Sequence, residues 1–130
     1  MTILDKGLKL TLKSLTNLLK LTKFGSGTAL PGFIQKLTKG FGEIIFVTGT
    51  NGKTSVASMA AKLYEENGFS VTINKEGSNM MRGIISTLVN TPLPKSHKNA
   101  LILEVEEATI VKLSKLITPQ YIIVTNIFRD

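Results

Sequence analysis

An α/β fold built on a parallel sheet is predicted by two features of the 130-residue chain. Short apolar runs rich in β-branched residues alternate with segments of helical spacing, the pattern of a parallel sheet with crossover helices. One run, within residues 43 to 68, passes through a glycine-bearing turn straight into a helix, the layout of a P-loop. The full expectation is an α/β fold, a parallel sheet with a P-loop, preceded by an amphipathic N-terminal helix. A hydrophobic content of 42% is enough to form a buried core and argues against disorder.

Residues 3 to 24 set Leu4, Leu8, Leu12, Leu15 and Leu19 on one helical face and Lys6, Lys9, Lys13 and Lys20 opposite. Such a face either packs on the protein, the commoner use, or inserts at an anionic membrane surface as a peripheral contact. Three glycines and a proline in GSGTALPG, residues 25 to 32, predict a loop, with a short helix following over Phe33 to Thr38. Residues 1–40 are therefore read as an N-terminal helix with its Gly/Pro loop, and residues 41–130 as an α/β unit that carries the P-loop. Within the second part, Ile44 to Val47 reads as a buried strand and Lys53 to Asn67 as a helix stopped by Gly68. Further strands are expected at Phe69 to Ile73, Ala100 to Val105 and Tyr121 to Thr125, with helices near Gly83 to Val89 and Thr109 to Ile117. A sheet ending after its fourth strand is expected to expose an apolar edge.

The turn after the first strand carries the strongest chemical signal. In G-T-N-G-K-T, Gly49 and Gly52 remove side chains that would block phosphate, and unpaired amides at the helix start attract its oxygens. Lys53 can reach outer phosphates and Thr54 can offer its hydroxyl to Mg²⁺, so a phosphate ligand with Mg²⁺ is expected. Open parallel sheets bind ligands beyond the carboxyl ends of their strands, which directs attention to Asn74, Glu104, Thr125 and Asn126. Glu104 interrupts an otherwise apolar strand. A carboxylate there either completes a magnesium shell with Thr54 or pairs with a lysine. Glu106 and Glu107 fit the start of the next helix, where acids suit the dipole. His97 lies in a polar loop and reads as solvated, Arg82 as an exposed arginine able to reach phosphate, and Met80 and Met81 as packing residues.

Bulk properties exclude several classes. The chain has no cysteine, so disulfides and cysteine-ligated metals are excluded within it, in keeping with a reducing, cytoplasmic setting. No stretch approaches the roughly 18 uninterrupted apolar residues of a membrane span, and lysines break up the leucine-rich start, unlike a secretory signal. The net charge of +7 is concentrated early: residues 1–40 hold seven lysines and one aspartate, whereas residues 41–130 hold nine basic and eight acidic groups. With no basic stripe of interleaved aromatics, nucleic acid is not an expected partner.

The spacing of the loop departs from the common G-x-x-x-x-G-K-[ST] pattern, since Val47 stands where the first glycine would be. G-T-x-G-K-T after an apolar strand resembles the ATP-binding loop of the Mur ligase superfamily. GTALPG, VTGTNGKTS, EGSNMMRGI, LEVEEA and VTNIFRD, in that order along nearly the whole chain, resemble its MurT branch. The resemblance implies a Mur ligase central ATPase domain and an ATP-dependent, amide-forming carbon–nitrogen ligase of the lipid II isoglutaminyl synthase type. In that activity the D-glutamate α-carboxylate of the lipid II stem peptide becomes an acyl phosphate. Ammonia from a GatD-like glutamine amidotransferase subunit then converts it to D-isoglutamine, a step of peptidoglycan biosynthesis.

Carried over by position, Gly49, Thr50, Asn51, Gly52, Lys53, Thr54 and Ser55 would hold the triphosphate. Lys53 and Glu104 would be catalytic, Thr54 and Glu104 would hold magnesium, and Asn79 and Asn126 would shape the site. The family continues well beyond NIFRD, so the resemblance implies an incomplete ATPase domain, inactive alone. A shorter linker after GTALPG also sets the chain apart. Three rivals stay open: another Mur-type amino-acid ligase of the folylpolyglutamate kind, a non-catalytic ATP-binding fragment, and a membrane-surface protein acting through residues 3 to 24.

Overall fold

The computed structural model describes residues 29–74 and 77–127. The expected helix over residues 3 to 24 and the final Phe128, Arg129 and Asp130 lie outside the described residues. Four strands and four helices alternate in the order α1 Ala29–Thr38, β1 Glu43–Thr48, α2 Lys53–Glu66, β2 Ser70–Ile73, α3 Met81–Val89, β3 Asn99–Glu104, α4 Glu107–Ser114 and β4 Tyr121–Val124. Every strand pairing is parallel, and the order across the sheet is β2-β3-β1-β4.

The apolar run of β1 folds as a central strand because both its faces are covered. Ile44 and Phe46 point to one side, where Leu101, Leu103 and Val105 join Ile34 and Leu37 of α1, Ile84, Ile85, Leu88 and Val89 of α3, and Leu113 and Ile117. Ile45 and Val47 point to the other, where Ile102 meets Ala57 and Ala61 of α2. This alternation of continuous apolar strands between two helical layers is how parallel sheets bury themselves. Small alanines on α2 let that helix approach closely, while bulkier residues on α1 and α3 fill the opposite layer.

Most element boundaries follow the sequence expectation within a few residues. Helix α1 differs, starting at Ala29 inside the segment expected to be a loop. Pro31 and Gly32 fall in its first turn, where a missing N–H costs nothing because those donors have no intrahelical partner. Helix α2 ends at Glu66, just before the expected stop at Gly68, whose N–H donates to Glu65 O at 3.0 Å. Met81 packs against the core, but Met80, expected to pack, is 63% exposed at the position just before α3. No helix among the described residues is long and apolar enough to cross a membrane.

Candidate functional site

The carboxyl ends of β1, β3 and β4 converge on one loop, residues 49 to 52, which links β1 to α2. Gly49 leaves the strand at φ 135°, and a Cβ there would collide with Thr125 Oγ1 and approach Asn126 O to 2.9 Å. Only glycine lets the loop lie this close to the end of β4. Gly52 precedes α2 with φ 86° and makes no side-chain cap, leaving the helix start open.

Residues after β4 hold the loop from behind. Thr50 N–H donates to Asn126 O at 2.9 Å, Asn51 N–H to Asn126 Oδ1 at 2.9 Å, and Asn126 Nδ2 to Asn51 O at 3.1 Å. Thr125 Oγ1 also donates to Asn51 O, at 2.6 Å. The backbone donors of Thr50 and Asn51 are therefore spent on loop shape. Val56 N–H, bonded to Gly52 O at 3.0 Å, makes the first helical bond, so the amides of Lys53, Thr54 and Ser55 have no intrahelical acceptor. These are the donors available to an anion, reinforced by the helix dipole.

Lys53 curls back across the loop. Its Nζ donates to Gly49 O at 2.5 Å and lies 3.5 Å from Glu107 Oε1, with the lysine side chain 12% exposed and that of Glu107 far more open. The lysine Nζ is thus held at the loop mouth by a carbonyl and a more distant carboxylate. Thr54 Oγ1 donates to Glu104 Oε1 at 2.9 Å, so a hydroxyl and a carboxylate from elements 50 residues apart meet at one point. Glu104 itself is 3% exposed. A lysine partner for Glu104, the alternative open from sequence, is not what this geometry brings to it.

A cavity of about 390 Å³ opens here, lined by Thr50 to Ser55 together with Gly77, Asn79 and Glu104. Its composition suits a polyphosphate: backbone amides, one lysine and one hydroxyl–carboxylate pair. No cluster of three or more His, Cys, Asp or Glu side chains able to hold a metal ion exists among the described residues. A two-residue oxygen site is poor for a metal cage and fits Mg²⁺, which keeps waters and takes phosphate oxygens for its remaining positions.

Of the sequence-derived site residues, Gly49 to Ser55, Glu104 and Asn126 are gathered at this one edge. Asn79 lies on the cavity wall and its carbonyl accepts from Glu106 N–H at 2.9 Å. Arg82 is exposed at the start of α3 and His97 is exposed in its loop, each apart from the lining residues. Two residues gain weight only from the structure. Glu107 faces Lys53, although the sequence shows it only as a helix-start acid. Asn74, visible as a strand-end polar residue, is 3% exposed and bonded to the Glu104 main chain.

Comparison with known proteins agrees with this geometry. Residues 47–130 match the family model of the Mur ligase middle domain. The chain is 36% identical over 119 residues to a Streptococcus pneumoniae protein described as lipid II isoglutaminyl synthase (glutamine-hydrolyzing) subunit MurT, covering 85% of this chain and 26% of that one. It is 33% identical over 113 residues to the Staphylococcus aureus (strain COL) protein of the same description, covering 80% of this chain and 25% of that one. The chain thus spans about a quarter of the length of the curated relatives it matches. A parallel sheet with helices on both faces, a glycine-lysine-threonine loop at its carboxyl edge and a family match over residues 47–130 lead to one assignment: the chain belongs to the Mur ligase family.

Proposed function

We propose that this chain supplies ATP-binding machinery to an ATP-dependent carbon–nitrogen ligase of the lipid II isoglutaminyl synthase type. The meeting of Thr54 with Glu104 beneath the Lys53 loop carries the reading, because it places a magnesium-competent pair beside a phosphate-competent loop. The reaction ascribed to the relatives supports the choice of reaction, and their designation as subunits supports a partner.

In this reading the free amides of residues 53–55 and the Lys53 ammonium bind the triphosphate, and Asn126 keeps the loop open for it. Thr54 and Glu104 would hold Mg²⁺. The metal, when bound, neutralises charge on the outer phosphates during transfer. Lys53 leaves Glu107 and turns its ammonium to the outer phosphate oxygens. The substrate carboxylate oxygen attacks the terminal phosphorus and ADP departs, giving an acyl phosphate. Ammonia from a GatD-like glutaminase subunit then attacks the acyl carbon, phosphate leaves, and the D-glutamate residue of lipid II becomes D-isoglutamine. A lipid-linked substrate would bring the protein to a membrane surface.

The test is mass spectrometry of lipid II incubated with the complete protein, its glutaminase partner, glutamine and Mg-ATP. Replacement of one carboxyl OH by NH₂ is expected, and Lys53→Ala should abolish it while weakening ATP binding by about 30-fold or more, the equivalent of the roughly 2 kcal/mol or more lost when one partner of a buried charge pair is removed. Gain of a whole amino-acid residue would assign a different Mur-type ligase. Wild-type turnover in Lys53→Ala would remove the nucleotide assignment.

A further inference from the structure

We infer that Asn74 is a positioning residue for the magnesium pair, fixing the Glu104 main chain so that its carboxylate meets Thr54. The inference rests on the nucleotide reading above and extends it to a residue outside the cavity lining. Strand β2 pairs with β3 as far as Ile73 against Ile102. Beyond that pair the backbone ladder of β2 ends, and the Asn74 side chain continues it. Its Oδ1 accepts from Glu104 N–H at 2.8 Å, and its Nδ2 donates to Glu104 O at 2.9 Å. The same Nδ2 donates to Ser78 O at 2.8 Å, which ties the loop carrying Gly77 and Asn79 to the same place.

A primary carboxamide is the side chain that can do this. It offers an acceptor and two donors in one plane, and three of its bonding positions are used here. From the β1 side, Val105 N–H donates to Val47 O at 2.8 Å, and from the loop after β2 Asn79 O accepts from Glu106 N–H at 2.9 Å. The Glu104 main chain is therefore held on the β2 side by the Asn74 side chain, while the next two residues, Val105 and Glu106, fix the strand end that follows it. Both residues are 3% exposed, so water has little access to replace a lost partner. Groups that orient a metal-ligating carboxylate typically affect metal affinity by about 10- to 100-fold when removed.

The experiment is calorimetric titration of the complete protein with ATP, with and without Mg²⁺, in the wild type, Asn74→Ala, Glu104→Gln and the double variant. Mg-free ATP affinity in Asn74→Ala should stay within about two-fold of wild type, because the loop amides and Lys53 are untouched. The Mg²⁺ concentration needed for half of the metal-dependent tightening should rise by about ten-fold. In the double variant the Mg²⁺ requirement should equal that of Glu104→Gln alone, as expected when one residue acts through the other. An unchanged Mg²⁺ requirement, equal losses with and without Mg²⁺, or additive effects in the double variant would overturn the inference. If Asn74→Ala does not fold, Asn74→Ser is taken through the same cycle with the same expectations. No ATP binding by the wild type would overturn the nucleotide reading itself, a result distinct from normal Mg-ATP binding that ignores Asn74.

Discussion

Thr48, the last residue of β1, is 7% exposed and its hydroxyl has no hydrogen-bond partner among the described residues. An unsatisfied buried hydroxyl carries a desolvation penalty, so Thr48→Val should stabilise the fold by about 1 kcal/mol, read from urea unfolding. The next residue behaves oppositely. Gly49→Ala would place a methyl group against Thr125 at a positive φ, and should destabilise by about 2 kcal/mol or more while weakening ATP binding, read from the same unfolding curves and a nucleotide titration. The loop glycines and Lys53 and Thr54 were legible in the sequence because their spacing has a local mechanical meaning. The contact of Lys53 with Glu107 spans 54 residues and has no local signature.

Helix α2 spans the molecule from the loop to the opposite sheet edge, and its far end is tied down by a polar contact within an aromatic cluster. Tyr64 donates to a Glu43 carboxylate oxygen at the start of β1 and meets Phe69 edge-on, with ring centroids 5.1 Å apart. Lys98 Nζ lies 4.8 Å over the Phe69 ring, adding a cation–π contact. Burial, then the bond to Glu43 and its negative charge, raise the Tyr64 phenol from 10.0 to about 12. Because the folded value is the higher one, this contact contributes its stability fully below pH 10 and loses it as pH rises through about 12. In a Tyr121→Phe variant Tyr64 is the only tyrosine, and its ultraviolet titration should fall well above pH 10 when folded and near pH 10 in denaturant. The helix stop at Gly68 was readable from sequence; its anchoring to Glu43 depends on how α2 lies across the sheet.

At the scale of the whole molecule, β1 and β3 are central and β2 and β4 are edges. The run Tyr121 to Val124 is as apolar as β1, yet Tyr121 is 58% exposed, Ile122 50% and Val124 51%. The expected apolar edge is present, and it lies on β4. Exposed, flat, apolar edges favour pairing with other chains. Lysine at both Ile122 and Val124 should reduce concentration-dependent self-association of the 130-residue chain in sedimentation velocity, with little change in the helical circular dichroism signal.

By itself the sequence determined the α/β class, the order of strands and helices, and the glycine-lysine-threonine loop. These depend on hydrophobic period, glycine placement and helix-start chemistry within windows of a few residues. It also marked Glu104 as unusual, since a carboxylate in an apolar strand needs a partner. Tertiary structure alone decided which partner that is, placed Asn74 on the Glu104 main chain, set Asn126 behind the loop and left β4 uncovered. Each of these outcomes follows from strand order and register across the sheet, which join residues far apart in the chain and are set by the packing of two helical layers on one sheet.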